Sequence, residues 1–387
     1  MSTSSESIAL HEKLKGKIEI KSKIPVTQEN LKLLYTPGVA AVSLAVAKDK
    51  SKVYDYTSKW NLAAIVSDGS RVLGLGKIGP EAALPVMEGK AILFKQLGGV
   101  DAFPLCIRAQ TAEEIIDFVK KISPTFGAVN IEDIETPKCF EVFERLNAEL
   151  DIPVFHDDRQ GTAVVALAGL INALRVVGKK KENAKVVIAG AGAAGFGIME
   201  ILLEYGFKNL VLVDSAGIIY KGRKENMNKY KEIIADRTNE KEIFGSLSDA
   251  LAGADVLVAA TGVVGEITKE MISSMGKRAI VFALTNPEPE ISLSDAKSAG
   301  AEIVGTGRSD FPNQINNSVA FPGIFRGALD ARARKINMRM HIAAAQAIAD
   351  FVKNPSAENI IPATTDWKIS AVVAAAVAKA ARESGVV

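Results

Sequence analysis

Short apolar runs alternate with longer segments of helical periodicity over most of the chain. Before residue 160 the strand-like runs are VDAFPLCI, FGAVNI and IPVF. After residue 160 they are KVVIA, NLVLVD, ADVLVAAT, RAIVFALT and AEIVGTG. A strand–helix–strand repeat of this kind predicts parallel sheets covered by helices. We therefore expect an α/β protein.

The length of 387 residues, of which 48% are hydrophobic, is enough for two domains with separate cores. We predict an N-terminal α/β domain for substrate and metal over residues 1–160 and a doubly wound Rossmann domain over 161–325. The helices of residues 326–387 are expected to pack on the first domain or to form a dimer contact. AAIVSDGSRVLGLG predicts a β-hairpin on an Asp-Gly turn.

The pattern G-x-G-x-x-G occurs twice, and its context separates the two copies. The copy at Gly74 follows a strand-like run, but the next run brings no acid at the corresponding distance, so it predicts a turn. The copy at Gly190 follows VVIA, opens a helix and precedes Asp214 at the end of the next strand. That full context is the fingerprint of a dinucleotide site.

The second copy predicts the parts of the cofactor site. The contact residues are expected to be Gly190, Gly192, Ala193, Ala194 and Gly195, with the helix amino terminus at the pyrophosphate. Asp214 is expected to bind both ribose hydroxyls, which favours NAD because a carboxylate repels a 2′-phosphate. Ser215, Lys221 and Arg223 nearby leave NADP open.

Two acidic pairs, Glu132-Asp133 and Asp157-Asp158, stand where strand-like runs stop and helical runs begin. Because parallel strands end at one edge of a sheet, these carboxylates are expected to meet. Both members of the first pair can share a ligand only if the pleat breaks after Ile131. An all-oxygen cluster suits Mg²⁺ or Mn²⁺. The alternatives are a helix cap at Asp157 or Asp158 and a solvated surface pair.

The composition argues against several classes of partner. The 47 basic and 45 acidic residues are mixed along the chain without a basic stripe, so nucleic acid is not expected. No uninterrupted apolar run of spanning length is evident, so no membrane partner is expected. Two cysteines are too few for a disulfide framework, and the start lacks a signal-peptide core; both favour a cytoplasmic location.

A nicotinamide cofactor combined with a carboxylate-bound divalent metal indicates oxidation of a hydroxy acid. If the oxidised product is a β-keto acid, the same metal can also assist loss of CO₂.

Several motifs closely resemble those of the malic enzymes. They are LYTPGVA, SDGSRVLGLGKIGPEAALPVMEGKA, NIEDI, FHDDRQGTA, IAGAGAAG, ALTNPEPE and QINNSVAFPG, in unbroken order from Tyr35 to Gly323. The resemblance is to the small bacterial or archaeal type. It implies oxidative decarboxylation of L-malate, through oxaloacetate, to pyruvate and CO₂ with reduction of NAD(P)⁺, and it implies a homodimer.

The resemblance also implies residue roles. Lys90 matches the general base and Tyr35 the general acid, and one subunit or two could supply the pair. The other matched positions are the metal ligands Glu132, Asp133 and Asp158, the carboxylate Asp157 beside the lysine, the substrate clamp Arg71, and the amides Asn286, Asn316 and Asn317, of which Asn286 also borders the cofactor. Arg159 stands where many relatives have a neutral residue, and we infer no altered chemistry from it.

Two other functions compete with this interpretation. The first is a metal-dependent dehydrogenase or decarboxylase of another β-hydroxy acid, which substrate size would distinguish. The second is a non-catalytic NAD(H) sensor, which loss of Tyr35, Lys90 or a cluster carboxylate would favour; none is lost.

Overall fold

The computed structural model describes residues 3–387. Its N-terminal segment consists of short helices without a buried side chain. They are α1 (Thr3–Leu14), α2 (Leu31–Leu34), α3 (Val39–Lys48) and α4 (Val53–Tyr56). Because they bury no apolar face, these helices lie on the surface of the chain, outside its core.

The first sheet has four parallel strands in the order β2-β1-β3-β4. The strands are β1 (Leu62–Ser67), β2 (Asp101–Cys106), β3 (Ala128–Ile131) and β4 (Val154–His156). The predicted strands are confirmed, but the hairpin is wrong. Strand β1 is flanked on both sides by parallel neighbours, so no edge remains for an antiparallel partner, and the following residues form a loop with one isolated bridge between Val72 and Gly76.

Three helices connect these strands: α5 (Pro80–Gly98), α6 (Ala112–Ile122) and α7 (Lys138–Glu149). Helix α5 begins with proline at its first position, where no hydrogen-bond donor is missed. Helix α6 begins at a capping box formed by Thr111 and Glu114. These local signals fix where α5 and α6 start, and α5 carries Lys90 toward the sheet edge.

One π-helical turn, Asp157–Gly161, follows β4 and leads directly into α8 (Thr162–Val177). Helix α8 is buried over nearly its whole length, and it ends at Gly178 in the left-handed conformation. By length and composition, Leu31–Lys48 and Asp157–Val177 could each cross a membrane. Such a match is weak evidence, and 78% of the second segment is buried as a core helix.

The second sheet has six strands in the order β10-β9-β8-β5-β6-β7, all parallel except β7. The strands are β5 (Lys185–Ala189), β6 (Asn209–Asp214), β7 (Gly217–Ile218), β8 (Val256–Ala259), β9 (Ala279–Ala283) and β10 (Ala301–Thr306). The connecting helices are α9 (Ala193–Tyr205), α10 (Lys229–Arg237), α11 (Leu247–Leu251), α12 (Lys269–Ser273) and α13 (Leu293–Ser298). The predicted doubly wound topology is confirmed.

The remaining helices are α14 (Phe321–Asp330), α15 (Met338–Phe351) and α16 (Lys368–Glu383). Helix α14 packs on α5, where the Phe94 ring lies 4.6 Å from Phe321 and 4.8 Å from Phe325. Helix α15 packs on α8, where the Asn172 amide donates to the Ala349 carbonyl at 2.8 Å. Both contacts join the C-terminal helices to the same core as the first sheet.

Candidate active site

A cavity lies between the two sheets, lined by residues that follow their strands. From the first domain it is lined by Arg71, Lys90, Glu132, Asp133 and Asp158, and from the second by Gly192, Ala193, Asn286, Asn316 and Asn317. Since ligands of open α/β sheets bind beyond the carboxyl ends of the strands, this is the expected place for a site.

The acidic cluster is built by two neighbouring strands. Strands β3 and β4 pair with Ile131 opposite His156, so the residues that follow them leave the sheet side by side. Carboxylate oxygens of Glu132, Asp133 and Asp158 all lie within 4.8 Å of one another. Asp133 has φ 52°, so the pleat breaks where the sequence required it to break. The structure therefore brings the three predicted metal ligands together.

This cluster fits a divalent cation. Asp133 Oδ2 is buried and has no hydrogen-bond partner within residues 3–387. Burial and the charge of Asp158 raise the pKa of Asp133 to about 7. Burial also raises the pKa of Glu132 well above its ordinary value, although Lys90 opposes this. Three crowded carboxylates without a nitrogen or sulfur ligand suit Mg²⁺ or Mn²⁺, which would neutralise them.

Lys90 bridges the cluster and a further carboxylate. Its Nζ lies 2.5 Å from Glu132 Oε1, donates to Asp157, and sits 4.7 Å from the centre of the Phe321 ring. Burial alone would lower the pKa of Lys90, but the two carboxylates outweigh burial and raise it above the ordinary value. With the cluster charged as it stands, Lys90 holds its proton.

The second acidic pair does not cap a helix. Asp157 accepts from Lys90 and, at 2.5 Å, from the side-chain amide of Asn317. Asp158 accepts from the backbone N–H of Asp133 at 2.9 Å. The capping alternative is therefore wrong for both residues, because their side chains point across the sheet edge rather than back to the helix backbone.

Arg71 lies on the loop of the first glycine motif. Its backbone N–H donates to the Asp133 carbonyl at 3.1 Å, and its guanidinium lies beside Gly192 of the second motif. Gly74 also lines the cavity, and a Cβ there would lie 2.5 Å from the Asn286 carbonyl oxygen. The first motif is thus a turn at the cavity, and it places a cation between the acidic cluster and the second sheet.

The three predicted amides all line the cavity, but they differ in their contacts. Asn317 is engaged with Asp157. The Asn316 side chain accepts from the N–H of Ser318 at 3.0 Å, so it caps a short 3-10 turn. Asn286 follows the end of β9 and faces the same space. The amides are therefore available to a ligand to different degrees.

The second glycine motif forms a close-packed turn. A Cβ at Gly190 would lie 2.5 Å from the Ala260 carbonyl oxygen, and a Cβ at Gly195 would lie 1.8 Å from the Gly190 carbonyl oxygen. A Cβ at Gly192 would meet nothing closer than 3.8 Å, so the backbone there is open to a ligand. Two residues of the first turn of α9, Ala193 and Ala194, line the cavity. The turn fits a pyrophosphate at the helix amino terminus.

Asp214 ends β6 as predicted, but its carboxylate is already occupied. Arg223 donates to both of its oxygens, and Lys231 lies 2.7 Å from Oδ2. Asp214 is therefore not a free acceptor for ribose hydroxyls, and the geometry does not support the preference for NAD that the sequence suggested.

Tyr35 is the one predicted catalytic residue that lies apart from the cavity, because Lys90 lines it and Asp157 bonds to Lys90 and Asn317. Gly190, Gly195 and Asp214 of the predicted cofactor site also lie outside the lining. Tyr35 follows α2, its side chain is two-thirds exposed, and it is not among the residues that line the cavity. Within residues 3–387 its hydroxyl has no hydrogen-bond partner. A single copy of the chain therefore assembles the predicted base and metal ligands without the predicted acid.

Sequence reasoning missed the residues that anchor the Arg71 loop. Asp68 is buried and accepts from the N–H of Ser70 at 3.0 Å and from Lys138 of α7. The Ser70 hydroxyl in turn accepts from the N–H of Glu135 at 2.8 Å. Asp68 lies within the SDGSRVLGLG motif. No sequence spacing predicts its contact with Lys138.

Sequence reasoning also missed the surroundings of Arg159. Its guanidinium donates to Glu200 of α9 at 2.7 and 3.0 Å and stands over the rings of Phe140, Phe143 and Phe196. Arg159 thus ties the turn that bears Asp157 and Asp158 to the helix of the dinucleotide motif. No sequence signal marks a pair separated by 41 residues.

The fold and the site define a class of two-domain dehydrogenases in which a carboxylate cluster and a dinucleotide turn share one cavity. A family profile described as "Malic enzyme, NAD binding domain" matches residues 159–382, and one described as "Malic enzyme, N-terminal domain" matches residues 15–114. The chain belongs to the malic enzyme family.

Several relatives are similar over nearly the whole chain. A bifunctional malic/malolactic enzyme of Bacillus subtilis is 53% identical over 100% of this chain and 95% of that protein. An NAD-dependent malic enzyme of Geobacillus stearothermophilus is 52% identical over 96% of this chain and 78% of that protein. The crystal structure of a malic enzyme from Pyrococcus horikoshii has a TM-score of 0.94 and 51% identity, over 100% of this chain and 92% of that chain.

Proposed function

We propose that the chain catalyses the oxidative decarboxylation of L-malate to pyruvate and CO₂ with reduction of NAD⁺ or NADP⁺. The observation that carries this proposal is Lys90 between Glu132 and Asp157, in one cavity with the acidic cluster and the dinucleotide turn. Relatives named for NAD and others named for NADP support the cofactor class.

The residues proposed to hold the cation are Glu132, Asp133 and Asp158, and the turn from Gly190 to Gly195 is proposed to hold the dinucleotide. When bound, the cation supplies Lewis-acid polarisation of the substrate oxygens and the nicotinamide accepts hydride. The unpartnered Asp133 Oδ2 and the open backbone at Gly192 support these assignments.

Lys90 is proposed to accept the proton of the C2 hydroxyl of malate. It must be neutral to do so, whereas Glu132 and Asp157 keep it charged. Glu132 belongs both to the cluster and to the surroundings of Lys90, so neutralisation of Glu132 lowers the pKa of Lys90. Asp157, held in place by Asn317, keeps the amine oriented toward the cavity.

Arg71, Asn286, Asn316 and Asn317 are proposed to bind the substrate. Arg71 is the only cation of this set, and a guanidinium can pair with a carboxylate through two hydrogen bonds. Its loop is anchored by Asp68, so the backbone that carries the guanidinium is held in place before substrate arrives. Preorganised contacts of this kind favour a short C4 dicarboxylate, which extends from the acidic cluster to the arginine.

Tyr35 is proposed to protonate C3 of the enol product, and we propose that it does so in the cavity of a second copy. The segment around it exposes a set of large apolar side chains, namely Leu31, Leu33, Leu34, Val42 and Leu44. Exposed apolar surface of this extent marks an interaction surface. A symmetric homodimer would cover that surface and complete each cavity with the partner's tyrosine.

A mixing experiment tests the shared site. Equal amounts of Lys90→Ala and Tyr35→Phe chains, each inactive alone, are unfolded and refolded together. If the partner supplies the tyrosine, one of the two cavities in each mixed dimer is intact, and about a quarter of wild-type activity returns. No recovery from mixed dimers that are folded would place both residues in one subunit.

The function itself is tested by a spectrophotometric assay with L-malate, Mn²⁺ or Mg²⁺, and NAD⁺ or NADP⁺ in turn. We expect reduced cofactor and pyruvate in equal amounts. Stoichiometric oxaloacetate without pyruvate would reject decarboxylation. Faster turnover of a larger β-hydroxy acid than of malate would reject the substrate.

We also propose the division into residues 1–160, 161–325 and 326–387, and a cytoplasmic location. The packing of α14 on α5 supports a C-terminal segment that belongs to the first domain's core. Cys106 and Cys139 are both free, as a reducing compartment requires.

A further inference from the structure

A buried ion pair joins the turn that follows β4 to the helix of the dinucleotide motif. Arg159 lies in the π-helical turn Asp157–Gly161, and its Nε and Nη2 donate to one oxygen of Glu200, at 3.0 and 2.7 Å. Glu200 belongs to α9, and the two side chains are 8% and 23% exposed. Because the pair is largely buried, salt and water screen its attraction only weakly.

Three aromatic rings also surround the guanidinium of Arg159. The centres of the Phe140 and Phe143 rings of α7 lie 5.4 and 5.3 Å from it, and that of Phe196 of α9 lies 4.7 Å from it. A cation is attracted to an aromatic face, and more strongly where water is excluded. The side chain of Arg159 is therefore held by two helices outside its own turn.

The backbones of the turn and of α9 are also in direct contact. A Cβ at Gly197 of α9 would overlap the Arg159 carbonyl oxygen and lie 2.8 Å from Arg159 Cγ. A Cβ at Gly161 would overlap the carboxylate of Asp157, so the turn is tightly closed on its own acid. Glycine allows both close approaches because it has no Cβ. A displacement of α9 is therefore passed on to the turn.

The two joined elements serve different proposed ligands. Asp158 of the turn belongs to the acidic cluster that fits a divalent cation. At the start of α9, Ala193 and Ala194 line the cavity beside the open backbone of Gly192. The helix rises about 10 Å from there to Glu200, at 1.5 Å per residue. One helix thus connects the dinucleotide turn to the ion pair and, through that pair, to the cluster.

The ion pair is poorly suited to stabilise the chain. Arg159 Nη1 is buried and has no hydrogen-bond partner within residues 3–387, and the two bonded nitrogens share a single oxygen of Glu200. A buried ion pair with an unsatisfied donor contributes little net stability, because desolvation opposes its attraction. Its main consequence is to fix the turn and α9 in one relative position.

We propose that Arg159 is a positioning residue that couples the metal site to the dinucleotide site. A cation at the acidic cluster orders the turn and, through Arg159 and Glu200, the start of α9. A dinucleotide acts along the same connection in the opposite direction, so the second ligand meets an element that is already ordered. Each ligand therefore raises the affinity of the other by the same factor. This inference rests on the proposed function and deepens it, and Arg159 takes no part in the chemical steps.

Binding measurements without malate test the coupling. Calorimetry gives the affinity for Mn²⁺ with and without saturating NADH or NADPH, whichever binds the wild-type chain more tightly. The dinucleotide is expected to tighten Mn²⁺ binding about tenfold in the wild-type chain, within the usual range of coupling between two sites. In Arg159→Gln the factor is expected to fall below about twofold. The reciprocal titration, dinucleotide with and without Mn²⁺, should return the same two factors.

Glu200→Gln tests the pair from its other side. It is expected to lose the coupling to the same extent, and the double variant should lose no more, because both substitutions break one interaction. Urea unfolding establishes that each variant is folded before titration. Tenfold coupling retained in folded Arg159→Gln or folded Glu200→Gln would overturn the proposal.

Amide hydrogen exchange follows the transmission directly. Addition of Mn²⁺ alone is expected to slow exchange at the start of α9 in the wild-type chain, because the ordered turn holds the helix. The same addition should leave exchange there unchanged in Arg159→Gln. Exchange at the start of α9 that does not respond to Mn²⁺ in the wild-type chain would contradict the connection.

Arg145→Gln is the matched control. Arg145 of α7 pairs with Glu113 of α6 and with Glu149 of its own helix, and none of the three lines the cavity. The same substitution there is expected to leave the coupling factor at about ten. An equal loss of coupling in Arg145→Gln would reject the assignment to Arg159. So would weaker binding of both ligands by Arg159→Gln with an unchanged factor, which is the result of a purely structural role.

Malate oxidation separates this inference from the proposed function. Coupled binding by a chain that does not oxidise malate would reject the function and keep the role of Arg159. Malate oxidation by a wild-type chain whose Mn²⁺ affinity does not depend on the dinucleotide would reject the role of Arg159 and keep the function.

Discussion

The acids at the ends of the two sheets are placed alike and bonded differently. Glu132, Asp133 and Asp158 crowd together beyond β3 and β4, and Asp133 keeps an unpartnered oxygen. Asp214 ends β6 with both carboxylate oxygens bonded by several donors from its own chain. The hydrogen bonding of the first set is therefore incomplete, whereas that of Asp214 is complete.

The position of an acid directly after a parallel strand identifies the edge of the sheet where ligands bind. It does not show whether that acid is free to bind one. Both sets obey the rule that polar groups of function follow parallel strands. Whether a carboxylate there awaits a partner depends on contacts with residues far along the chain. The two sets should therefore respond in opposite ways to the same chemical change, which the following predictions exploit.

The largest expected effect is on catalysis at the end of the first sheet, where Lys90 contacts the acidic cluster. Lys90→Ala should lower kcat for malate oxidation by about a thousandfold or more, because the proton of the C2 hydroxyl loses its acceptor. Dinucleotide affinity, measured by fluorescence titration, should change little. Lys95→Ala, on the same helix but exposed and paired with Asp101, is the control and should keep full activity. Equal loss in both variants would remove Lys90 from the reaction.

The second-largest expected effect is the loss of stability when the carboxylate of Asp214 is removed from the end of the second sheet. Asp214→Asn should destabilise the chain by about 3 kcal/mol at pH 7, because it leaves Arg223 buried without its counter-ion. Burial alone would raise the pKa of Asp214, but hydrogen bonds from Arg223 and Lys231 outweigh burial and lower it. The contribution of a depressed acid is present above its unfolded pKa and is lost as the pH falls. Urea unfolding should show the full cost from pH 7 down to about pH 4, near the ordinary pKa of an aspartate, and a smaller cost at about pH 2.5. A constant cost over that range would contradict the pairing.

A smaller effect is expected on cation binding. Asp133→Asn should weaken Mn²⁺ binding by about a hundredfold, because the cluster loses one negative ligand. Isothermal titration with Mn²⁺ measures it directly. Asp117→Asn removes an exposed acid of α6 and serves as the control. Unchanged affinity in Asp133→Asn would exclude Asp133 from the metal site.

The smallest effect has the opposite sign to that at Asp214. Without divalent cations, Asp133→Asn should stabilise the chain at pH 8 by about 1 to 2 kcal/mol, because a crowded buried charge is removed. Burial raises the pKa of Asp133 to about 7, so the wild-type chain loses stability as the pH rises from 4 toward 7. Urea unfolding in EDTA should show the two proteins converging at acid pH. Destabilisation by Asp133→Asn at pH 8 would contradict the claim that the acids at the ends of the two sheets affect stability in opposite ways.

Much of this architecture is predictable because it is local or periodic. The strand ends at Ile131 and His156, the glycine turn at Gly190 and the helix start at Pro80 each depend on residues close in sequence. The carboxyl-end rule then brings separate strand ends together without further information. For these reasons the sequence predicts the acidic cluster and the dinucleotide turn.

What escaped prediction depends on contacts between distant residues. The hairpin failed because both edges of β1 are taken by strands that come later in the chain. The carboxylate of Asp214 is bound by Arg223, which lies nine residues further along the chain. Neither strand nor helix periodicity predicts a contact at that separation. Tyr35 matched a motif, yet its place is outside the cavity because the segment that bears it packs little on its own chain.

Helix α8 has a consequence for how such a protein can be recombined. It starts at the acidic turn, ends just before β5, and is covered along its length by both halves and by α15. A chimaera joined within α8 would combine two halves of the helix from different proteins. Its side chains would then pack poorly against all three neighbouring parts of the structure. The loop of residues 179–183, of which three are exposed, is the junction where halves of two relatives could be joined with α8 left intact.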